Sequence, residues 1–472
     1  MGRRVLLYEI NEVPWEIWDL YVAARPKSNF AGLMADAMQR TTVDEDTVEL
    51  QPWRSWTTLH RSMYSKDHRS LDLGQDPTSF MGTPLWDVVD ASDLPVGLFG
   101  VLQSWPPHPF RAGGFFVPDS FARDSKTIPA SLERFQSFNT SMTSENSFTS
   151  TDRLAPTRVA TAALDLLAKG ISPWSTYEVI RHLGHEARDD RFKAARPIVQ
   201  VLPCFDVFWK LHRRFAPALS IFFTNHVASM MHRFWGDWVP DYQSNGYAAD
   251  EIFRRFILQA LDFFDHQLGV MKAWVDRNDE TVLILAGAIG QGPIQYHPTN
   301  ESYVLEHPDR LAAALGLHGP RAGIAMYPRV SLEFPDGSEL PAAWVAFESA
   351  KGNLGPMFSD LRIFGSTLAV EVAQYPGSDD PLSREVSWSM LDGTARQGTI
   401  DDLGIVIRQR PGGGNTAHHI PDGAFLAYGK GIAPDPSREK SSILDVAPSL
   451  LGLLGLCPSP DMQGEPSVFA QE

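Results

Sequence analysis

An α/β fold with a mostly parallel central sheet flanked by helices is predicted by three features of this 472-residue sequence. The stretch Thr281-Val-Leu-Ile-Leu-Ala-Gly-Ala-Ile-Gly-Gln-Gly292 runs from Val282 to Ala286 without a polar residue and then enters a glycine-punctuated loop. A strand buried on both faces of a parallel sheet reads this way, and its carboxyl end opens onto the crevice where such sheets bind ligands. Leu219 to Thr224, a long amphipathic segment from Asp250 to Val275, and the Thr281 strand follow one another as strand, helix, strand, the rhythm of a βαβ unit. Val5 to Ile10 is a third apolar run, and it ends among the polar residues Glu9, Asn11 and Glu12.

Composition narrows the function classes. At 43% hydrophobic and 21% charged residues the chain has the balance of an ordinary globular protein. A formal net charge of −16 argues against a nucleic-acid partner and against an anionic membrane, since an acidic surface is attracted to neither. Two cysteines, Cys204 and Cys457, provide no disulfide framework. The apolar run near the N-terminus is too short for a signal peptide, and nothing approaches the roughly 18 apolar residues of a membrane span. A cytoplasmic protein is expected.

Taken in order, Pro14-Trp15-Glu16-Ile17-Trp18 starts a helix behind the first strand. Glu49 to Met63 is a polar and aromatic loop leading into a helix, Thr83 to Ala91 a helix capped by Thr83, and Val96 to Val101 a short strand. Residues 121–215 read as a helical insertion, with an exposed connection from Asn139 to Thr151 and helical spacing over Arg158 to Lys169 and Asp206 to Phe215. After the strand ending at Asn225 and His226, a helix places Asn225, Ala228, Ser229 and His232 on one face. Residues 301–409 read as a mixed α+β insertion with strands at Gly323 to Leu332, Ala343 to Phe347 and Leu368 to Val372. A flexible loop from Gly412 to Gly423 carries His418 and His419, followed by a strand over Ala424 to Tyr428 and a helix over Ser442 to Leu454. The core is thus assembled from residues 1–120, 216–300 and 410–472.

The last of these segments carries a family resemblance. His419-Ile-Pro-Asp-Gly-Ala-Phe-Leu-Ala-Tyr-Gly-Lys-Gly-Ile432, followed by Ile443-Leu-Asp-Val-Ala-Pro-Ser-Leu-Leu-Gly-Leu-Leu-Gly455, resembles the ending of the alkaline phosphatase superfamily, nearest to its type I phosphodiesterase/nucleotide pyrophosphatase-like branch. Val5 to Ile17 is similar to that family's first strand and turn, and Trp56 to Ser62 with His68 to the segment after its nucleophile. The resemblance implies an alkaline phosphatase-like fold and a site built for two metal ions, usually zinc, held by Asp and His.

Carried over residue by residue, most of those ligands are absent. The first-strand aspartate falls on Asn11 and the nucleophile near Pro52, with Ser55 the nearest hydroxyl. The Asp-x3-His pair falls on Ala228 and His232, the Asp-His-Gly loop on Ala288, Ile289 and Gly290, and the last histidine on His419, or on His418 if the register shifts by one. Two imidazoles and a neutral amide cannot balance two divalent ions. At most one divalent metal such as zinc is expected, with Asn11, His232 and His419 as candidate ligands, or Glu9 if the register slips.

Ser55, His232 and His419 are the candidate catalytic groups, with His60 or His232 as the base beside Ser55. Glu9, Asn11, Trp53, Trp56, His60, Asn225, His226, Gln291 and His418 are candidate ligand-binding residues, and Arg54 a bidentate anion holder. Trp53, Trp56, Trp105 and Trp235 suit a sugar or nucleotide ring, or else ordinary core packing. The expected function is a diverged hydrolase or transferase acting on a phosphate or sulfate ester or a glycosyl substrate. The alternative is a non-catalytic binding or scaffold protein, and the ligand in either case is a small molecule of sugar or nucleotide type.

Overall fold

The alternation of Val5 and Leu7 with Leu6, Tyr8 and Ile10 explains why β1 (Arg4–Ile10) lies in the middle of the sheet. Val5 and Leu7 face one apolar layer, and Leu6, Tyr8 and Ile10 the other. The computed structural model describes residues 3–46, 49–148, 170–240, 242, 246–295, 301–326, 328–335, 337–375, 380–409 and 415–469. Its central sheet has eight strands. With β2 (Met38–Val43), β3 (Val96–Phe99), β4 (Gly114–Val117), β5 (Leu219–Thr224) and β6 (Thr281–Ala286), their order is Asp435–Ser442, β2, Asp422–Tyr428, β6, β1, β5, β3, β4. Asp422–Tyr428 runs antiparallel to both its neighbours, and the other pairings are parallel. The mostly parallel sheet flanked by helices is therefore present.

One face is covered by α1 (Trp15–Ala24), α2 (Asn29–Asp36) and the helices Arg196–Phe215, His226–Trp238 and Arg254–Val275. The opposite face is covered by α3 (Pro52–Arg61), Leu85–Ala91 and Val446–Leu453. Among the described helices none is long and apolar enough to cross a membrane.

Five local expectations change, the first being that the strand expected over Gly323 to Leu332 forms, among the described residues, only from Arg329, as Arg329–Glu333. Ala343 to Phe347 lies in a helix, Leu340–Ser349, because its buried residues Leu340, Ala343, Ala346 and Phe347 recur with helical period and Pro341 sits in the first turn. The helix Glu133–Phe148 runs through most of the connection expected from Asn139. Pro84, not Thr83, is the N-cap of Leu85–Ala91, since the Thr83 amide donates instead to Asp461 Oδ2 at 2.6 Å. The Gly412 to Gly423 loop is in part a strand, Ala417–Ile420. Residues 410–414 and the helical segment expected over Arg158 to Lys169 lie outside the described residues.

Residues 301–409 have an apolar core of their own around Leu315, Val330, Leu332, Phe347, Leu368 and Val370. The chain enters and leaves this insertion through paired antiparallel strands, Glu301–Leu305 and Ile405–Gln409. Buried Arg329 joins it to the core, 3.6 Å from Asp72. Burial pushes the Asp72 carboxyl up to about 6, above the roughly 3.9 of an unfolded chain. The folded state then binds this proton more tightly, so its contribution to stability falls as pH rises from about 4 through about 6. Relative to Asp72→Asn, the wild type should lose on the order of 2 kcal/mol between about pH 4 and pH 7. Urea unfolding of both proteins across that range measures the difference.

Candidate functional site

The carboxyl ends of β1, β5 and β6 converge where β1 turns into α1. Just past β1, Glu12 has a φ of 62°, the left-handed region that non-glycine residues rarely occupy. Opposite it is a two-stranded ribbon made by β7 (Gly290–Pro293) and Ala417–Ile420, in which Gln291 and His419 are register partners. His232 reaches the same point from the helix His226–Trp238.

Among the described residues, one group of metal-ligating side chains converges: Glu12, His232 and His419, with ligand atoms all within 4.8 Å of one another. Glu12 Oε2 is 2.9 Å from His232 Nε2 and 3.4 Å from His419 Nε2. Donors about 2.0–2.1 Å from a tetrahedral ion lie roughly 3.3 Å apart; the 3.4 Å separation matches that spacing, while the 2.9 Å one is a hydrogen-bond distance that would open slightly around a cation. The far ring nitrogens are fixed by the backbone. His232 Nδ1 donates to Ala417 O at 3.1 Å and His419 Nδ1 to Leu50 O at 2.9 Å. In the neutral rings this leaves the Nε2 lone pairs aimed at Glu12, the tautomer that metal-ligating histidines adopt.

Glu12 is 1% exposed. Burial raises its pKa, but His419 and His232 outweigh that and hold it well below the usual carboxylate range. For His419 burial acts downward, and the Glu12 carboxylate wins, raising its pKa. Gln291 Nε2 donates to Glu12 Oε2 and, at 3.2 Å, to Ala228 O. The Gln291 amide therefore steadies the carboxylate from the side where Ala228 has no ligand to offer.

The residues onto which the family resemblance places further metal ligands are not arranged as ligands among the described residues. Asn11 Oδ1 accepts from Trp56 Nε1 at 2.7 Å, while Asn11 Nδ2 donates to Glu12 Oε1 at 2.6 Å and Asn225 Oδ1 at 2.7 Å. Its only acceptor is engaged and its N–H groups point at oxygens that a cation would need. Ala288 and Ile289 are buried and apolar. The group of three is the structure's counterpart of the single-metal candidate, with Glu12 in the place expected for Asn11 or Glu9.

The other sequence candidates are placed as follows. His419 faces Glu12 with 8% of its side chain exposed, and His418 is exposed beside it with ring centroids 4.7 Å apart. Glu9 lies on the opposite face of β1, its Oε1 2.6 Å from His60 Nε2. Among the described residues Glu9 does not join the group of three, and His60 Nε2 is engaged by Glu9 rather than by Ser55. His226 is buried with Nε2 on Ala260 O, and burial lowers its pKa to about 4. Arg54 does not fork an anion, because Nη1 and Nη2 already donate to Glu49 O at 3.1 Å and Leu71 O at 2.9 Å. Trp53, Trp56 and Trp235 are core residues, and only Trp105 is half-exposed.

Ser55 lies inside the first turn of α3, one residue before the Trp56 that grips Asn11, rather than at its N-cap. Its buried hydroxyl makes no hydrogen bond of normal geometry among the described residues. It nevertheless lies close enough to Asp44 to offset part of the rise that burial imposes on that carboxyl. Asp44, not an imidazole, is the titratable group beside Ser55. Glu12 is the residue of the group that the sequence offers only as an acceptor for a ligand or for the turn after β1, and not as a metal ligand. The one available signal was its place directly after Asn11.

Fold and site together define an α/β protein whose strand ends carry a centre of two histidines and one carboxylate. No family model matches the chain, and no curated protein matches it. It is similar to solved structures of murine ectonucleotide pyrophosphatase/phosphodiesterase 5, at 12% identity over 98% of both chains with a TM-score of 0.43. The human counterpart gives 12% identity over 98% of this chain and 97% of that one, with a TM-score of 0.43. A multiply substituted variant of alkaline phosphatase PafA gives 12% identity over 99% and 98%, with a TM-score of 0.47.

Proposed function

We propose that this chain is a diverged member of the alkaline phosphatase superfamily that holds one divalent cation, zinc or a similar ion, on Glu12, His232 and His419. We further propose that it acts as a hydrolase on a phosphate or sulfate ester. The observation that carries this reading is the convergence of three ligand atoms with both imidazoles pinned at Nδ1. Two histidines and one carboxylate form a ligand set used by catalytic zinc, which keeps a fourth position open to water or substrate. A bound divalent ion would supply Lewis-acid polarisation of a phosphoryl or sulfuryl oxygen.

The chain's own residues do the remainder. One carboxylate and two neutral imidazoles leave a divalent ion with net positive charge, which favours an anionic ester. His232, with 23% of its side chain exposed, marks the side from which such a ligand approaches. Ser55 supplies the candidate nucleophilic hydroxyl, and Asp44, whose pKa burial raises, supplies the group to take its proton. The burial of Ser55 favours a second reading, a non-catalytic protein that binds the ester and the cation without turnover.

Hydrolysis of p-nitrophenyl phosphate and p-nitrophenyl sulfate tests both. Turnover should require added zinc or cobalt, stop with a chelator, and fall by at least about 100-fold in Ser55→Ala. Cation binding without turnover on either ester leaves the binding protein. Undiminished turnover in Ser55→Ala transfers the nucleophile's role to water.

A further inference from the structure

We propose that Arg362, in the 301–409 insertion, is a positioning residue for the cation centre and acts on His419 through the backbone of residues 49–51. The inference rests on the centre proposed above. The ring of His419 is oriented by the Leu50 carbonyl, at 2.9 Å from Nδ1. Glu49, the residue before, is held at two points. Its carbonyl accepts from Arg54 Nη1 at 3.1 Å, and its carboxylate lies 3.6 Å from Arg362 Nη2. The Leu71 carbonyl ties the two guanidinium groups together, accepting from Arg54 Nη2 at 2.9 Å and from Arg362 Nη1 at 2.8 Å. Arg362 thus closes a ring of contacts through Leu71, Arg54 and Glu49, one peptide away from the carbonyl that sets the His419 tautomer.

Arg362 is itself aimed by Asp360, which also pairs with Arg329. Because Arg329 keeps its own contacts with Asp72 and Glu371, trimming Arg362 leaves the insertion docked and loosens only the 49–51 segment. The pair with half-exposed Glu49 adds little stability by itself. The contact that matters is the charge-assisted hydrogen bond to Leu71 O, which fixes geometry. If the Leu50 carbonyl drifts, the His419 proton redistributes between Nδ1 and Nε2, and the ring offers a lone pair to a cation for only part of the time.

Cobalt titration of the full-length wild type, Arg362→Ala and Arg362→Lys, followed by visible absorption, tests this together with the nitrogen NMR signature of the His419 tautomer in the cation-free proteins, read at a pH alkaline enough to leave the ring neutral despite the nearby Glu12 carboxylate. Cobalt affinity should fall about 10-fold in Arg362→Ala, the lower end of the cost of losing an orienting contact. His419 should become a mixture of tautomers and the melting temperature should barely move. Arg362→Lys, which can keep one of the two contacts, should fall between. An Arg362→Ala protein that binds cobalt within about twofold of wild type, with His419 still protonated at Nδ1 alone, overturns the inference and leaves the centre standing. A wild type that takes up no cobalt removes the centre and this inference with it.

Discussion

Glu12→Gln should lower cobalt or zinc affinity by at least about 100-fold, the upper end of what losing a mere orienting partner costs, while leaving the fold intact. The change is close to isosteric, and Asn11 Nδ2 can still donate to the side-chain oxygen that faces it at 2.6 Å. What disappears is the negative charge, and no other carboxylate joins His232 and His419 in the group. Two neutral imidazoles alone do not match a divalent ion's charge or its preferred ligand count. Calorimetric titration of wild type and variant reads the difference directly, and equal affinities would show that the ion, if any, sits elsewhere. In the cation-free variant the His419 imidazolium loses the carboxylate that raises its pKa, so a neutral ring takes its place without unfolding the site.

His60→Ala should destabilise the protein by at least about 1–3 kcal/mol, the cost of leaving a buried hydrogen-bonding group without its partner. Glu9 is fully buried, and the only hydrogen bond of its carboxylate given by the structure is the one from His60 at 2.6 Å. Glu9 Oε2 is without a partner among the described residues. The surroundings are aromatic: the His60 ring stacks on Trp56 and meets Trp86 edge-on at 5.0 Å between centroids. Among these rings no other side chain takes over the hydrogen bond that His60 gives up. The double variant Glu9→Leu/His60→Leu replaces both partners with apolar groups and should recover most of the loss, because replacing both partners of a buried hydrogen bond by apolar groups is often near neutral. Urea unfolding of the three proteins is the measurement. A double variant as unstable as His60→Ala would mean that the pair matters through its shape and not through the stranded hydrogen-bonding group.

The parts of the molecule legible in the sequence are those where burial imposes a pattern. β1, β5 and β6 are buried on both faces and read as continuous apolar runs, and the helix Arg254–Val275 shows its inward stripe. Ala343 to Phe347 misled because five apolar residues do not distinguish strand from helix. The deciding clues were Pro341 and the spacing of Leu340 and Phe347. Of the three residues that converge, His232 and His419 stand out in the sequence by position, whereas Glu12 does not stand out as a ligand, because its placement depends on a positive φ that a glutamate does not announce. The Glu9–His60 pair spans 51 residues of sequence, and its trace was a charge in a core strand beside an imidazole in an apolar helix. Arg54 and Trp56 looked like ligand-binding groups because sequence shows their chemistry but not the Leu71 carbonyl or the Asn11 amide that already engage them.

Anomalous diffraction from crystals of the full-length protein grown with cobalt or zinc examines the cation centre most directly. A single anomalous peak, bonded to Glu12 Oε2, His232 Nε2 and His419 Nε2, is the expected result. A second peak beside Asn11 and Ser55, or no peak between the two histidines at millimolar ion, would contradict it.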